Sequence, residues 1–224
     1  MSELIIKNKA VLKMLNQISD EITSQPITKN RFRGRKTTFY PEDARTDGEK
    51  YLDPKYLKKH LNDPNHVGYP VENYGIPLSD PQEDGPDPLE SVQKFVKSDF
   101  VHHLGATSDA LFLYYPPGGF VGWHTNQNNS GYQIVFSWSE SGDGYFQVYD
   151  KEKEEVIRYY DQPGWNCRHQ LFGREEHEHC WHSAYTRCPK ITVCVLFRWR
   201  EQPHKKDLIL HMKDELLEEL VREE

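Results

Sequence analysis

Long apolar runs are what this sequence most conspicuously lacks. No window approaches the roughly 18 consecutive apolar residues that a membrane-spanning helix needs. The longest apolar stretches, such as Ile191 to Phe197, are strand-sized. Only 36% of the 224 residues are apolar and the mean hydropathy is −0.84, so a protein without membrane association is expected. Cysteine is sparse. Cys167, Cys180, Cys188 and Cys194 all lie in the last third without paired CxxC spacing, which points to neither a cysteine zinc site nor a disulfide framework. Positive charge is in deficit, 28 Lys+Arg against 35 Asp+Glu for a net charge of −7. That balance argues against a general nucleic-acid binder, whose affinity comes from neutralising phosphates. Lys7, Lys9 and Lys13 interrupt the apolar residues of the first 22 positions, so no signal peptide and a cytoplasmic location are expected.

Aromatic residues are plentiful, with 13 Tyr, 10 Phe and 5 Trp, enough to build a sizeable core despite the low mean hydropathy. Between residues 4 and 22, Leu4, Ile5, Val11, Leu12, Leu15, Ile18 and Ile22 recur at near-helical spacing, predicting an amphipathic helix. From Asn30 to Tyr40, Arg31, Arg33 and Arg35 alternate with Phe32 and Gly34, which places three guanidinium groups on one face of an extended strand. That face is the candidate contact for an anionic ligand or nucleic acid. Pro41 to Pro88 holds eight of the 14 prolines and reads as loop or lid, with a short helix at Pro54 to Leu61. Leu89 to Phe100 reads as a helix.

The stretch from Ala110 to Arg200 is a train of short alternating runs: Ala110–Tyr115, Gly131–Ser137, Gly144–Tyr149, Val156–Tyr160, Asn166–Phe172, His179–Tyr185 and Ile191–Arg198. Short strands separated by Pro-Pro-Gly-Gly, Ser-Gly-Asp-Gly and Pro-Gly turns predict an antiparallel sandwich or jelly roll. Leu208, Met212, Leu216, Leu217, Leu220 and Val221 predict a C-terminal helix, whose acidic last turns oppose the helix dipole and call for docking. The expected organisation is 1–109 (helix, basic strand, Pro-rich lid and support helix), 110–200 (β core) and 201–224 (C-terminal helix). These form one structural domain.

Two histidine clusters fall in the β region. Tyr115-Pro-Pro-Gly-Gly-Phe-Val-Gly-Trp-His124-Thr-Asn126 is one; His177-Glu-His179-Cys-Trp-His182 is the other, with His179 lying 55 residues beyond His124. Two neutral imidazoles and an oxygen donor on one face of an octahedral ion leave three positions open, the arrangement non-haem Fe(II) uses.

From Leu111 to Arg200 the chain resembles the Fe(II)/2-oxoglutarate-dependent oxygenase superfamily, and within it the prolyl-4-hydroxylase-like branch. Tyr115-Pro-Pro-Gly118 leading to His124, the Gly142-Asp-Gly-Tyr-Phe146 hairpin, Phe172, the His179-Cys-Trp-His182 segment and the Lys190-Ile-Thr192-Val strand carry the resemblance. It implies a mainly β fold with flanking helices, a double-stranded β-helix of cupin-like jelly-roll form. It implies a non-haem iron dioxygenase, with Fe(II) and 2-oxoglutarate as cofactors and a small-molecule or protein substrate left open; the C-terminal helix could dock on its own barrel or on a neighbour's, so a monomer or a homodimer is expected. Implied metal ligands are His124, Asn126 and His179, with His182 as the alternative distal ligand. Implied cosubstrate contacts are Lys190, Thr192 and Tyr115, with Arg187 and Arg198 as alternatives to Lys190. The chain departs from the family at Asn126, where most members carry Asp. A neutral amide is a poorer ligand for a divalent ion than a carboxylate. The alternative expectation is therefore an iron-depleted cupin-like binding or structural module that takes an anionic ligand.

Overall fold

The computed structural model describes residues 2–25, 48–61, 63–64, 66–79, 87–173, 176–198 and 204–222. The Arg31, Arg33 and Arg35 face, residues 41–47 and 80–86 of the Pro-rich segment, and Trp199 lie outside the described residues.

The strands are β1 (Ser2–Leu4), β2 (Asn73–Tyr74), β3 (Ile76–Pro77), β4 (Ser108–Tyr115), β5 (Phe120–His124), β6 (Gly131–Ser139), β7 (Gly144–Asp150), β8 (Glu155–Tyr160), β9 (Gly164–Phe172), β10 (His182–Thr186) and β11 (Lys190–Phe197). The helices are α1 (Lys9–Thr23), α2 (Pro54–His60), α3 (Glu90–Phe95), α4 (Val101–His103) and α5 (His204–Val221). A π-helical turn, Val96–Phe100, joins α3 to α4. One sheet has the order β1-β9-β6-β11-β4-β3 and the other β2-β5-β10-β7-β8, with antiparallel pairing throughout. This is a double-stranded β-helix, the jelly roll expected from the strand pattern.

The pleat divides β11 into two faces. Ile191, Val193 and Val195 join Val11, Leu15, Ile18 and Ile22 of α1 and Val92, Val96 and Phe100 of the α3–α4 run in one cluster. Each such fully buried side chain contributes about 1.5–3 kcal/mol. By alternation, Lys190, Thr192 and Cys194 face the barrel interior. The second sheet is sealed from outside by α2, whose Leu57 packs with Trp123 and Trp181.

Several elements differ from the sequence expectation: within the segment read as loop, Gly48–Leu52 is a 3-10 helix, and β2 and β3 pair with β5 and β4. α1 begins at Lys9, because Asn8 caps it by accepting from the Val11 N–H at 3.0 Å, and Leu4 instead belongs to β1, paired with Cys167. β5 is a strand that no alternating run announced. β10 begins at His182 rather than His179, because a 3-10 turn at Glu176–Glu178 occupies the preceding segment. The C-terminal helix docks as its acidic end required. The Leu220 carbonyl accepts from the Lys7 and Asn8 N–H groups at 2.9 and 3.1 Å, and Leu220 is fully buried. No helix among the described residues is long and apolar enough to cross a membrane.

Candidate metal centre

The chain enters β5 through a tight turn at Pro116-Pro-Gly-Gly119. Gly119 N donates to the Pro116 carbonyl at 2.7 Å and Gly118 has φ +81°, the signature of a type II turn, whose third position needs a left-handed residue. β5 then runs antiparallel to β10 with His124 directly opposite His182. Trp123 and Trp181, their immediate neighbours, point outward toward Leu57, so the pleat turns both histidines inward.

The two imidazoles are buried, with ring centroids 4.0 Å apart. Each is fixed by its own backbone. His124 Nδ1 lies 2.9 Å from the Gly122 carbonyl, and His182 Nδ1 lies 2.9 Å from the Cys180 carbonyl. A carbonyl only accepts, so each Nδ1 carries the proton and each Nε2 carries the lone pair a metal needs. Burial also keeps the rings neutral. It brings the His124 pKa down to about 4, against weaker support from hydrogen bonds to Gly122 and Asn126. His182 is driven well below the ordinary histidine range by burial and by the neighbouring His124. Phe172 and Phe146 wall the His182 ring at 4.8 and 5.4 Å.

Asn126 reaches the same place. Its backbone is left-handed, φ 56° and ψ 21°, a region in which asparagine is enriched, and its N–H donates to the Gly68 carbonyl at 2.9 Å. Its side-chain Nδ2 lies 3.3 Å from His182 Nε2, where it donates to the imidazole lone pair. A half-turn of the amide presents Oδ1 in its place. The strand register sets His182 opposite His124 and the turn after β5 brings Asn126 to His182, whereas His179 lies ahead of β10.

Deeper in the barrel is a cluster of ions. Lys190 Nζ pairs with Asp161 Oδ2 at 2.6 Å, and Arg168 Nη1 with Asp161 Oδ1 at 2.9 Å. Arg168 Nε reaches Glu3 Oε1 at 3.1 Å. Lys190, Asp161 and Arg168 are all buried. Burial lowers the Lys190 pKa and Arg168 adds to that, while Asp161 opposes both. Tyr115 is the register partner of Lys190 on β4, and burial raises its pKa, so its hydroxyl stays protonated. Thr192 Oγ1 lies 3.5 Å from Ser137 Oγ. Of the other basic candidates, Arg187 is exposed and pairs with Glu49 at 2.7 Å. Arg198 lies past the far end of β11 and donates to Asn129 Oδ1 at 3.0 Å. Asp161 and Arg168 escaped the sequence reading, because an Asp before Gln-Pro-Gly reads as an ordinary turn former.

No family model matches the chain, and no curated protein matches it. Among solved structures it is similar to a prolyl-4-hydroxylase from Pseudomonas putida, at 11% identity and TM-score 0.35 over 83% of this chain and 99% of that one. It is similar to a dioxygenase for auxin oxidation from rice, at 13% identity and TM-score 0.36 over 84% and 69% of the two chains. A third is YcfD, a ribosomal oxygenase from Escherichia coli, at 23% identity and TM-score 0.28 over 49% of this chain and 27% of that one. The chain therefore spans about a quarter of YcfD. These likenesses are loose, and the strand order and the side-chain geometry carry the reading that follows.

Proposed function

We propose that the barrel is an Fe(II)- and 2-oxoglutarate-dependent oxygenase. The observation that carries the reading is the pair of buried, neutral imidazoles of His124 and His182, each with Nδ1 tied to backbone and Nε2 carrying the lone pair, that of His182 accepting from the Asn126 amide. Two nitrogens and one oxygen suit a divalent iron that keeps open positions. His124, His182 and, after rotation of its amide, Asn126 would hold it. When bound, iron and 2-oxoglutarate would supply the oxidising chemistry with dioxygen as the oxidant: one oxygen atom would enter succinate as the 2-oxoacid loses CO₂, and the other would become the hydroxyl of the substrate.

The chain's own contribution is placement. The backbone bonds at Nδ1 hold the two rings without a carboxylate partner, so the imidazoles themselves would need little reorganisation on binding. Phe146 and Phe172 keep water off His182. Lys190 and Thr192, on the interior face of β11, would receive the distal carboxylate of the cosubstrate, with Tyr115 on the adjacent strand. Because Asp161 already pairs with Lys190, a cosubstrate carboxylate must share or displace that partner.

This last point, with the neutral amide at Asn126, favours one second reading: a barrel that binds a ligand without holding iron. Anaerobic titration with Fe(II) and 2-oxoglutarate separates the two through the visible charge-transfer band of the chelate. The oxygenase reading expects the band in the wild type and in His179→Ala, and its loss in His124→Ala and His182→Ala. A colourless wild type with a coloured Asn126→Asp supports the binding module. Absence of the band from both sinks the oxygenase assignment.

A further inference from the structure

A second histidine cluster lies outside the barrel, in the segment that follows α2. His60 Nδ1 and His66 Nδ1 lie 3.4 and 3.1 Å from the same atom, Asp63 Oδ2, and the two rings stack with centroids 4.1 Å apart. From these three side chains we infer a binding site for a zinc-class divalent ion, held by His60, Asp63 and His66, that clamps the loop behind β5.

Three features carry the inference. The first is spacing. Ligand atoms 2.0–2.2 Å from a tetrahedral ion lie about 3.3–3.6 Å from one another; both Nδ1 atoms stand at that spacing or closer to Asp63 Oδ2, and one ligand atom from each of the three residues falls within 4.8 Å of the other two. The second is the far side of His66. This residue is 4% exposed, and its Nε2 is buried without a hydrogen bond, 3.5 Å from Glu72 Oε1. If both Nδ1 atoms merely donated to Asp63, neutral His66 would turn a lone pair toward a carboxylate. With the ion on Nδ1, the proton moves to Nε2 and faces Glu72, the carboxylate–histidine–metal arrangement that orients metal ligands. The Tyr56 hydroxyl in turn donates to Glu72 Oε1. The third is the donor set. Two imidazoles and one carboxylate, with no thiolate, select a borderline ion such as Zn(II), with water completing the fourth position.

The location gives the clamp its effect. The Glu72 carbonyl accepts from Gly122 N at 2.7 Å, and Gly68 N donates to Thr125 Oγ1 at 3.0 Å. A Cβ at Gly122 would come within 2.7 Å of the Glu72 carbonyl oxygen, so the loop lies directly on the strand that carries His124. An ion on His60, Asp63 and His66 fixes the loop from its outer side.

The test uses the full chain, stripped with chelator and titrated with Zn(II) and with Co(II). The background is His124→Ala with His182→Ala, so that the barrel histidines take no part. One ion per chain is expected, with an intense visible Co(II) spectrum of tetrahedral type and a Zn(II)-dependent rise in Tm of roughly 5–10 °C at saturating ion. Adding His60→Ala or Asp63→Asn should abolish the spectrum and the rise. Glu72→Gln should weaken Zn(II) roughly 10- to 100-fold while leaving the Co(II) spectrum unchanged in shape. If that background does not fold, the wild type is titrated instead, and His60→Ala should bind one ion per chain fewer than the wild type. His60 is partly exposed, so its replacement leaves the core intact. Overturning results are the absence of Co(II) colour and of Zn(II)-dependent stabilisation, or an unchanged response in His60→Ala and Asp63→Asn.

Discussion

The two ends of the barrel interior solve the problem of buried polar groups in opposite ways. At the deep end, Lys190 and Arg168 share Asp161, and Glu3 adds a second anion, so two cations meet two anions. At the mouth, His124 and His182 stay neutral and satisfy one nitrogen each on backbone carbonyls. A buried charge must be paired where it stands, whereas a neutral imidazole needs only one partner and keeps its second nitrogen for a ligand. The deep end is complete as folded. At the mouth the Asn126 amide donates to His182 Nε2, and an ion would take its place.

The largest expected effect breaks the deep end. Asp161→Ala leaves Lys190 and Arg168 buried together without their shared partner, and should cost about 3–5 kcal/mol in urea denaturation. Adding Lys190→Met removes one of the stranded cations and should restore part of that loss. Strictly additive losses would show that the three side chains do not act as a unit.

Acid should act on the mouth. The His124 pKa falls from 6.5 to about 4 on folding, so between those values the unfolded chain binds more protons and stability falls as pH drops. Metal-free protein should lose about 2 kcal/mol between pH 7 and pH 5 from this residue, since each pKa unit is worth about 1.4 kcal/mol. His124→Ala should flatten the slope; an equal slope in that variant would place the acid sensitivity elsewhere.

Giving the mouth a charge makes it more like the deep end. Asn126→Asp should tighten Fe(II) binding about tenfold, close to 1.4 kcal/mol, by adding an anion to an ion that now meets only neutral donors. Isothermal titration under anaerobic conditions reads it directly, and unchanged affinity would mean that position 126 does not reach the ion. The smallest effect belongs to His179→Ala. That residue lies ahead of β10, so stability should move by no more than about 0.5 kcal/mol and iron binding should persist.

Much of this was legible from residue patterns. Alternation in Gly131–Ser137 and Ile191–Arg198 and the Pro-Pro-Gly-Gly turn predicted the barrel, and the spacing in residues 4–22 predicted a helix, which the structure forms over Lys9–Thr23. β5 was not legible, because Phe-Val-Gly-Trp-His has a glycine at its centre and too few residues to display a period. Its extended form comes from pairing with β2 and β10. The sequence reading favours His179 over His182, whereas the strand register sets His182 opposite His124. Both lie near the expected position, and which of them faces His124 follows from where the 3-10 turn ends and from Tyr149 N donating to the Trp181 carbonyl at 2.9 Å.

Residue order alone therefore determined the classes of element and the types of donor available, because periodicity and side-chain chemistry are local properties of a chain. Tertiary structure decided which histidine faces His124, that Asp161 is spent on Lys190, and that His60, Asp63 and His66 converge on one point. Those outcomes depend on strand register and on which face of a pleat is buried. A shift of one residue reverses every side chain, and only pairing between distant segments fixes it.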